Sequence, residues 1–201
     1  MPLFDPATTA LVCIDLQGAN LSHGAAPYSP EEVLDQSLRL LAAARAAGSL
    51  VVHVRTSFLP DESDSLQPLR IEQMRPARPH REPGWDQLLP EVAPTPTEPV
   101  IAKRSWNAFH GSDLDVQLRR HGITTIVLAG MSTNFGVEGT GRAAYEHYYN
   151  VVFANEAMSS VTAEGHEFSV ANILPLIGVV RSVDEVVGAF AGSRVNDEVA
   201  V

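Results

Sequence analysis

TTIVLAGMSTNFGVEGTGRAAYEHYYN, residues 124–150, decides how the rest of the chain is read. Thr125 to Leu128 is a short apolar, β-branched run and reads as a buried strand. Gly130 breaks it, and Met131-Ser132-Thr133-Asn134 reads as a polar turn. From Phe135 the spacing becomes helical, with small residues at Gly136, Gly139 and Thr140 and larger ones at Tyr145, Tyr148 and Tyr149. A strand, a glycine-bearing turn and a helix start together aim backbone N–H groups at a ligand carrying negative charge. Small residues at these positions equally let the helix lie close on a sheet, and both readings can hold at once. The glycines run G-x-x-G-x-G inside the helix rather than G-x-G-x-x-G in the turn, which excludes a nicotinamide or flavin site of the dinucleotide type.

Outward from this stretch, strands and helices alternate. Thr8 to Leu16 (TTALVCIDL) is a continuous apolar run ending at Asp15, too short for a helix and suited to a buried parallel strand. Leu16 to Ser29 reads as a loop. Ser29-Pro30-Glu31-Glu32 offers an N-cap, a proline at the first helical position and acids in the first turn, and Gly48 stops that helix. Leu50 to Arg55 is a second strand and Val100 to Ala102 a third. A helix starts at Ser112 to Asp115 and ends at Gly122. The opening stretch follows, then a strand over 150–154, a helix over 163–174, a strand over 177–180 and a helix over 183–190. The tail, 191–201, reads as frayed.

This order predicts an α/β, Rossmann-like three-layer fold: a six-stranded parallel sheet of order 3-2-1-4-5-6, with helices on both faces, in one domain over 1–201. Between 57 and 99 the pattern dissolves. Nine of the fourteen prolines lie between Pro60 and Pro99, and only Trp85 to Leu89 looks helical. So long an irregular excursion serves either as a lid or as a subunit contact.

The charge balance is 14 − 24 = −10, which argues against nucleic acid or an anionic membrane as partner, but not against an anionic small molecule, because the local charge of a pocket decides that. Cys13 is the only cysteine, so an internal disulfide is excluded. No apolar run is long enough to span a bilayer. A cytoplasmic protein is expected.

In a sheet of this order, ligands bind at the switch point between the first and fourth strands, outside their carboxyl ends. Asp15 and the turn 130–134 meet there. Lys103 leaves the third strand two positions away, roughly 10 Å at ~4.8 Å per strand, a gap that a turn and a lysine side chain can cover. A carboxylate in an apolar setting has its charged form disfavoured, which suits a proton carrier; the alternative is a structural carboxylate capping a turn. Lys103 can orient Asp15 and hold developing negative charge, or simply solvate its head at a strand end. Trp106, Asn107 and Phe109 are candidate pocket residues, although aromatics so placed also serve as core. The seven histidines form no H-x-H, H-E-x-x-H or D-x-H pattern, so no metal site is expected, and His110 is the histidine best placed to reach a pocket. Cys13, two residues before Asp15 and so expected on the same strand face, reads as an inert buried thiol.

Three segments, ALVCIDLQ around Asp15, VIAKRSWNAFHGSDL around Lys103 and IVLAGMSTNFGVEGTGRAAYE after the fourth strand, resemble the isochorismatase-like (cysteine hydrolase) superfamily in order and spacing. The resemblance implies a homo-oligomer, dimer or tetramer, a cis peptide at Met131-Ser132, and a catalytic Asp, Lys and Cys. Asp and Lys carry over to Asp15 and Lys103, while the Cys position carries over to Gly136. The D-x-H motif of the metal-binding nicotinamidases has no counterpart in Arg55 to Pro60 (RTSFLP), and no cofactor is implied. The isochorismatases proper also have Gly at the Cys position; in them Asp acts as general acid on a vinyl ether and water attacks the resulting carbon, releasing pyruvate. Their turn differs from Gly130 to Asn134, which is closer to that of the cysteine-bearing members.

The expectation is a metal-independent hydrolase of a small-molecule substrate without a cysteine nucleophile. Asp15 is general acid/base, Lys103 its electrostatic partner, and Met131, Ser132, Thr133 and Asn134 bind the substrate's polar end beside Gly136. Two alternatives stand beside it: a non-catalytic metabolite- or partner-binding descendant, and an amidase using water or Ser132 as nucleophile.

Overall fold

In the computed structural model, which describes residues 2–21, 24–66, 71–72 and 81–197, the strand β1 (Thr9–Ile14) is buried along its whole length. Its side chains alternate between two cores. Ala10, Val12 and Ile14 join one cluster, while Leu11 and Cys13 join the other. A strand with a core on each side needs apolar residues at every position, which is why β1 reads as an unbroken apolar run. The same holds for β4 (Thr125–Met131). With β2 (Leu50–Thr56), β3 (Val100–Lys103), β5 (Asn150–Ser159) and β6 (Val179–Arg181), these form a parallel sheet of order β3-β2-β1-β4-β5-β6.

One face of the sheet is covered by α2 (Pro30–Ala47), through Val33, Leu40, Leu41 and Ala44, and by α7 (Val183–Asp197), through Val183, Val186 and Phe190. The other carries α3 (Leu114–Arg120), α4 (Glu138–Glu146) and α6 (Leu174–Ile177), through Leu114, Leu118, Ala143, Ala144 and Leu174. A short α1 (Gly18–Leu21) stands in the predicted loop after β1. The N-terminus of α2 carries a complete capping box. Ser29 Oγ accepts from the Glu32 N–H at 3.2 Å, and a Glu32 carboxylate oxygen accepts from the Ser29 N–H at 2.7 Å, an arrangement worth about 1 kcal/mol. Gly48, at φ 75°, ends the helix.

The fold class follows the sequence, and several local elements do not. The expected helical piece over 85–89 is instead a turn followed by an antiparallel bridge between Gln17 and Leu88, with the Leu89 N–H donating to Leu16 O at 3.0 Å. A backbone pairing with the end of β1 replaces the local helical bonds, and a 3₁₀ turn, Pro90–Val92, follows. The helix expected over 163–174 is α5 (Ala163–Phe168), a wider i→i+5 turn over Ser169–Ile173, and then α6. Pro175 sits in the first turn of α6, where its missing N–H removes a bond back to the preceding helix and the chain restarts. The last helix runs to Asp197, so 191–197 of the expected frayed tail are helical, while 198–201 lie outside the described residues. So do 67–70 and 73–80 of the irregular excursion. No helix of the described residues is long and apolar enough to cross a membrane.

Candidate active site

β1 is followed at once by Asp15 in the left-handed conformation, φ 53°, one that Asp tolerates better than most residues. The turn breaks the strand alternation expected to place Asp15 on the Cys13 face, and sends the carboxylate across the sheet top. There it meets Lys103, the last residue of β3, at 2.7 Å from Nζ to Oδ2. The strand between them supplies the bridge. Thr56, at the end of β2, donates to Asp15 Oδ1 at 3.2 Å and accepts from Lys103 Nζ at 2.9 Å. Lys103 also donates to Ser105 O at 3.1 Å.

Thr56 is itself held by Gln17. The Gln17 amide donates to Thr56 O at 3.0 Å and accepts from Thr56 N–H at 2.9 Å, continuing the β1–β2 ladder by side chain after the backbone of β1 has turned away. Both charged side chains are almost wholly enclosed, Lys103 at 2% exposure and Asp15 at 9%. Burial raises the proton affinity of Asp15 above the ordinary carboxyl range; the charge and hydrogen bond of Lys103 and the bond from Thr56 act the other way without cancelling it.

On the other side of the carboxylate run the end of β4 and the segment that follows it. Gly130, φ 112°, passes so close to β1 that a Cβ there would lie 2.0 Å from Ile14 O. Only glycine fits. The Met131-Ser132 peptide is cis, at the position the family resemblance implies. A wide turn over Thr133–Val137, with Val137 N–H donating to Ser132 O at 3.2 Å, then leads into α4. Gly136 sits in it. A Cβ built on Gly136 would stand 3.6 Å from Asp15 Oδ2, 3.1 Å from Ile14 Cγ2 and 3.2 Å from Met131 O. Thr140 ties this turn to the loop after β3, donating to Gly136 O at 2.6 Å and accepting from Ala108 N–H at 3.1 Å.

Above these groups opens a cavity of about 380 Å³, within the small-molecule range. Asp15, Lys103, Trp106, Met131, Ser132 and Gly136 all line it, so the structure brings these candidates together. Trp106 packs edge-to-face on Phe135 at 4.9 Å.

Four other candidates lie elsewhere. Phe109 is core, stacked on His147 at 5.1 Å and tilted on Tyr149 at 5.9 Å. Asn107 turns its side chain back to accept from Phe109 N–H at 2.7 Å. Thr133 is fully buried and bonded to His166 Nδ1 at 2.8 Å. Asn134 accepts from the Ser160 hydroxyl. These polar groups face structural partners, which periodicity cannot distinguish from a ligand.

His110 is exposed rather than pocket-facing, and the buried histidine beside the turn is His166. Burial lowers its pKa, keeping the ring neutral. Its Nε2 lies 3.3 Å from Asn155 Oδ1, which can only accept, so Nδ1 accepts from the Thr133 hydroxyl. Cys13 is buried, its thiol pushed up to about 12 chiefly by burial, and carries no nucleophile to the cavity. Among the described residues no group of three His, Cys, Asp or Glu side chains is placed to hold a metal ion.

Sequence reasoning missed Gln17 and Thr56, though each sits at or just beyond the end of a strand it had assigned. It also missed the cavity residues Phe58, Arg81, Trp85 and Arg104. Most of these come from the irregular excursion, where no period marks them.

A doubly wound parallel sheet with a buried carboxylate–ammonium pair at its switch point defines a small-molecule site of the α/β class. The Isochorismatase domain family matches residues 9–185, and the chain belongs to that family. It is 43% identical over 183 residues to an uncharacterized isochorismatase family protein, YecD, of Escherichia coli O157:H7, covering 90% of this chain and 96% of that protein. Ureidoacrylate amidohydrolase RutB of Variovorax paradoxus is 30% identical over 205 residues, 91% of this chain and 81% of that protein. Among solved structures, an isochorismatase family protein of Burkholderia thailandensis superposes with a TM-score of 0.87 at 38% identity, covering 95% of this chain and 99% of that one.

Proposed function

We propose that this isochorismatase-family protein hydrolyses a small metabolite without a cysteine nucleophile, with Asp15 as general acid and Lys103 as its electrostatic partner. The supporting observation is the buried Asp15–Lys103 pair facing a cavity at Gly136, where the family's cysteine side chain would point at Asp15 and glycine leaves that space to substrate or water. A carboxyl group whose burial raises its proton affinity suits proton donation.

The chemistry that fits is vinyl-ether hydrolysis. Asp15 protonates the terminal vinyl carbon, and water adds to the resulting oxocarbenium carbon and loses a proton. The hemiketal then collapses to a ketone and an alcohol. Lys103 holds Asp15 in place and stabilises its carboxylate once the proton has left. No bond to the enzyme forms. As in the family, the chain is proposed to act as a homo-oligomer.

An amidase reading is favoured by two observations, the likeness to ureidoacrylate amidohydrolase and the position of Ser132 in the cavity wall. Against Ser132 as nucleophile stands the chemistry around it, since the histidine near the turn is engaged by Thr133 instead.

The test is pyruvate release from isochorismate by the purified protein and by Asp15→Asn, with ammonia release from ureidoacrylate measured alongside. Pyruvate release that falls by roughly 10²–10⁴-fold in the variant is expected. Ammonia without pyruvate would transfer the assignment to the amidase reading.

A further inference from the structure

The chain as a whole is strongly acidic, at −10, yet its cavity is not. Of the charged side chains lining it among the described residues, three are cationic, Lys103, Arg81 and Arg104, and one is anionic, Asp15. Lys103 is committed to Asp15, which leaves Arg81 and Arg104, each paired to a carboxylate, as the cations of the described lining that are not tied to Asp15. Their acidic partners are not part of the lining. Arg104 Nε bonds Asp64 Oδ2 at 2.8 Å, and Arg81 Nε bonds Glu62 Oε1 at 2.6 Å. A guanidinium has five N–H donors, so an Nε bond to one carboxylate does not exhaust it.

Aromatic rings share this lining. Phe58 and Trp85 stack at 5.8 Å with planes 19° apart, and the Arg81 guanidinium lies 3.7 Å over the Trp85 ring. Trp106 and Phe135 form a second aromatic pair in the lining. Aromatic rings and guanidinium groups in one lining match a flat molecule that carries an anionic group.

We propose that the cavity selects a planar, carboxylate-bearing substrate, with Arg104 and Arg81 as specificity-determining residues that bind the carboxylate while Asp15 and Lys103 face the reacting end. This rests on the same site as the proposed hydrolase activity but not on its chemistry. Asp64 and Glu62 both belong to the loop after β2, so a carboxylate arriving at either arginine competes with that loop for the guanidinium. Substrate charge and the loop's position are thereby linked.

The chain holds two tryptophans, Trp85 and Trp106, and both line the cavity. Intrinsic fluorescence therefore reports occupancy without turnover. Titration with benzoate and with its neutral isostere benzamide, at low ionic strength, measures the charge preference alone. Benzoate should bind roughly tenfold or more tightly, about the worth of one charge-assisted hydrogen bond. Arg104→Gln and Arg81→Gln should each reduce that preference.

Asp64→Asn should move it the other way. The amide oxygen can still accept from the Leu59 N–H, as Asp64 Oδ1 does at 2.8 Å, while Arg104 loses its competing carboxylate and benzoate affinity rises. Equal affinity for the two probes, no quenching by either, or benzoate affinity unmoved by the arginine variants overturns the proposal. Failure to hydrolyse isochorismate with the benzoate preference intact counts against the reaction and not against this selectivity. Turnover of a neutral substrate with no benzoate preference does the reverse.

Discussion

Breaking the Asp15–Lys103 pair should be costly in a way that depends on which partner is removed and on pH. The two side chains are 9% and 2% exposed and 2.7 Å apart, so solvent screening does little to discount their interaction. Removing one partner of a buried pair typically costs about 3–5 kcal/mol, because the other charge remains enclosed. Asp15→Asn should fall near the lower end, about 3 kcal/mol, since the amide oxygen can still accept from one of the two donors, Thr56 or Lys103.

Lys103→Met leaves a buried carboxylate that escapes by taking a proton. The folded-state pKa of Asp15, already raised above 3.8 by burial, then rises further. A group with a raised folded pKa contributes stability that is present below its unfolded pKa and is lost as pH rises through the folded one. Lys103→Met should therefore be nearest to wild type around pH 4 and furthest from it at pH 8. The Asp15→Asn/Lys103→Met double variant encloses no charge, and its loss should be smaller than the sum of the single losses by about 1–3 kcal/mol. Urea unfolding of the four proteins at both pH values measures all of this. Losses that add to within about 0.5 kcal/mol, or a Lys103→Met cost independent of pH, would refute a charge-coupled buried pair.

Three further outcomes are expected. Gly130→Ala should abolish soluble folded protein, since its Cβ would meet Ile14 O at 2.0 Å, whereas Gly136→Ala, with contacts of 3.1 Å and 3.2 Å, should fold with a loss of about 1–3 kcal/mol; expression and thermal melting separate them. Thr133→Val strands the buried Nδ1 of His166 and should cost about 1–3 kcal/mol, a drop of about 2–4 °C in Tm per kcal/mol, while Thr133→Ser restores the hydroxyl and the Tm. At the opposite end of the sheet, burial acts to raise Glu98, but bonds from Arg45, the Thr95 N–H and His53 outweigh it and hold Glu98 down to about 2. Its contribution is present above the unfolded value of 4.5 and is lost as pH falls toward 2, so Glu98→Gln should flatten the acid limb of the stability curve there.

The amino-acid sequence alone determined the layer order. In a parallel sheet covered on both faces, every position of a central strand is apolar, so TALVCI and TIVL are visible as strands without knowledge of their neighbours, although β4 runs on through Gly130 to Met131, where the sequence reads as a turn. Caps such as Ser29, Glu32 and Gly48 act within a few residues of themselves and are equally legible. Asp15 and Lys103 stood out because each is a charge at the end of an apolar run, and the strand order alone placed them at one crevice.

What only the tertiary structure decided is which polar groups face ligand and which face one another. Thr133 and Asn134 look as available as Ser132 in the sequence, yet His166 and Ser160, more than twenty-five residues away, claim them. Thr56 and Gln17 acquire meaning through a ladder continued by a side chain. The aromatic and arginine wall at residues 58, 81, 85 and 104 belongs to long-range packing and ion pairing that leave no period behind. Strand and helix patterns are written by local geometry and burial, whereas a site is written by contacts between segments, and the physical partner of each site residue lies where only the folded chain can bring it.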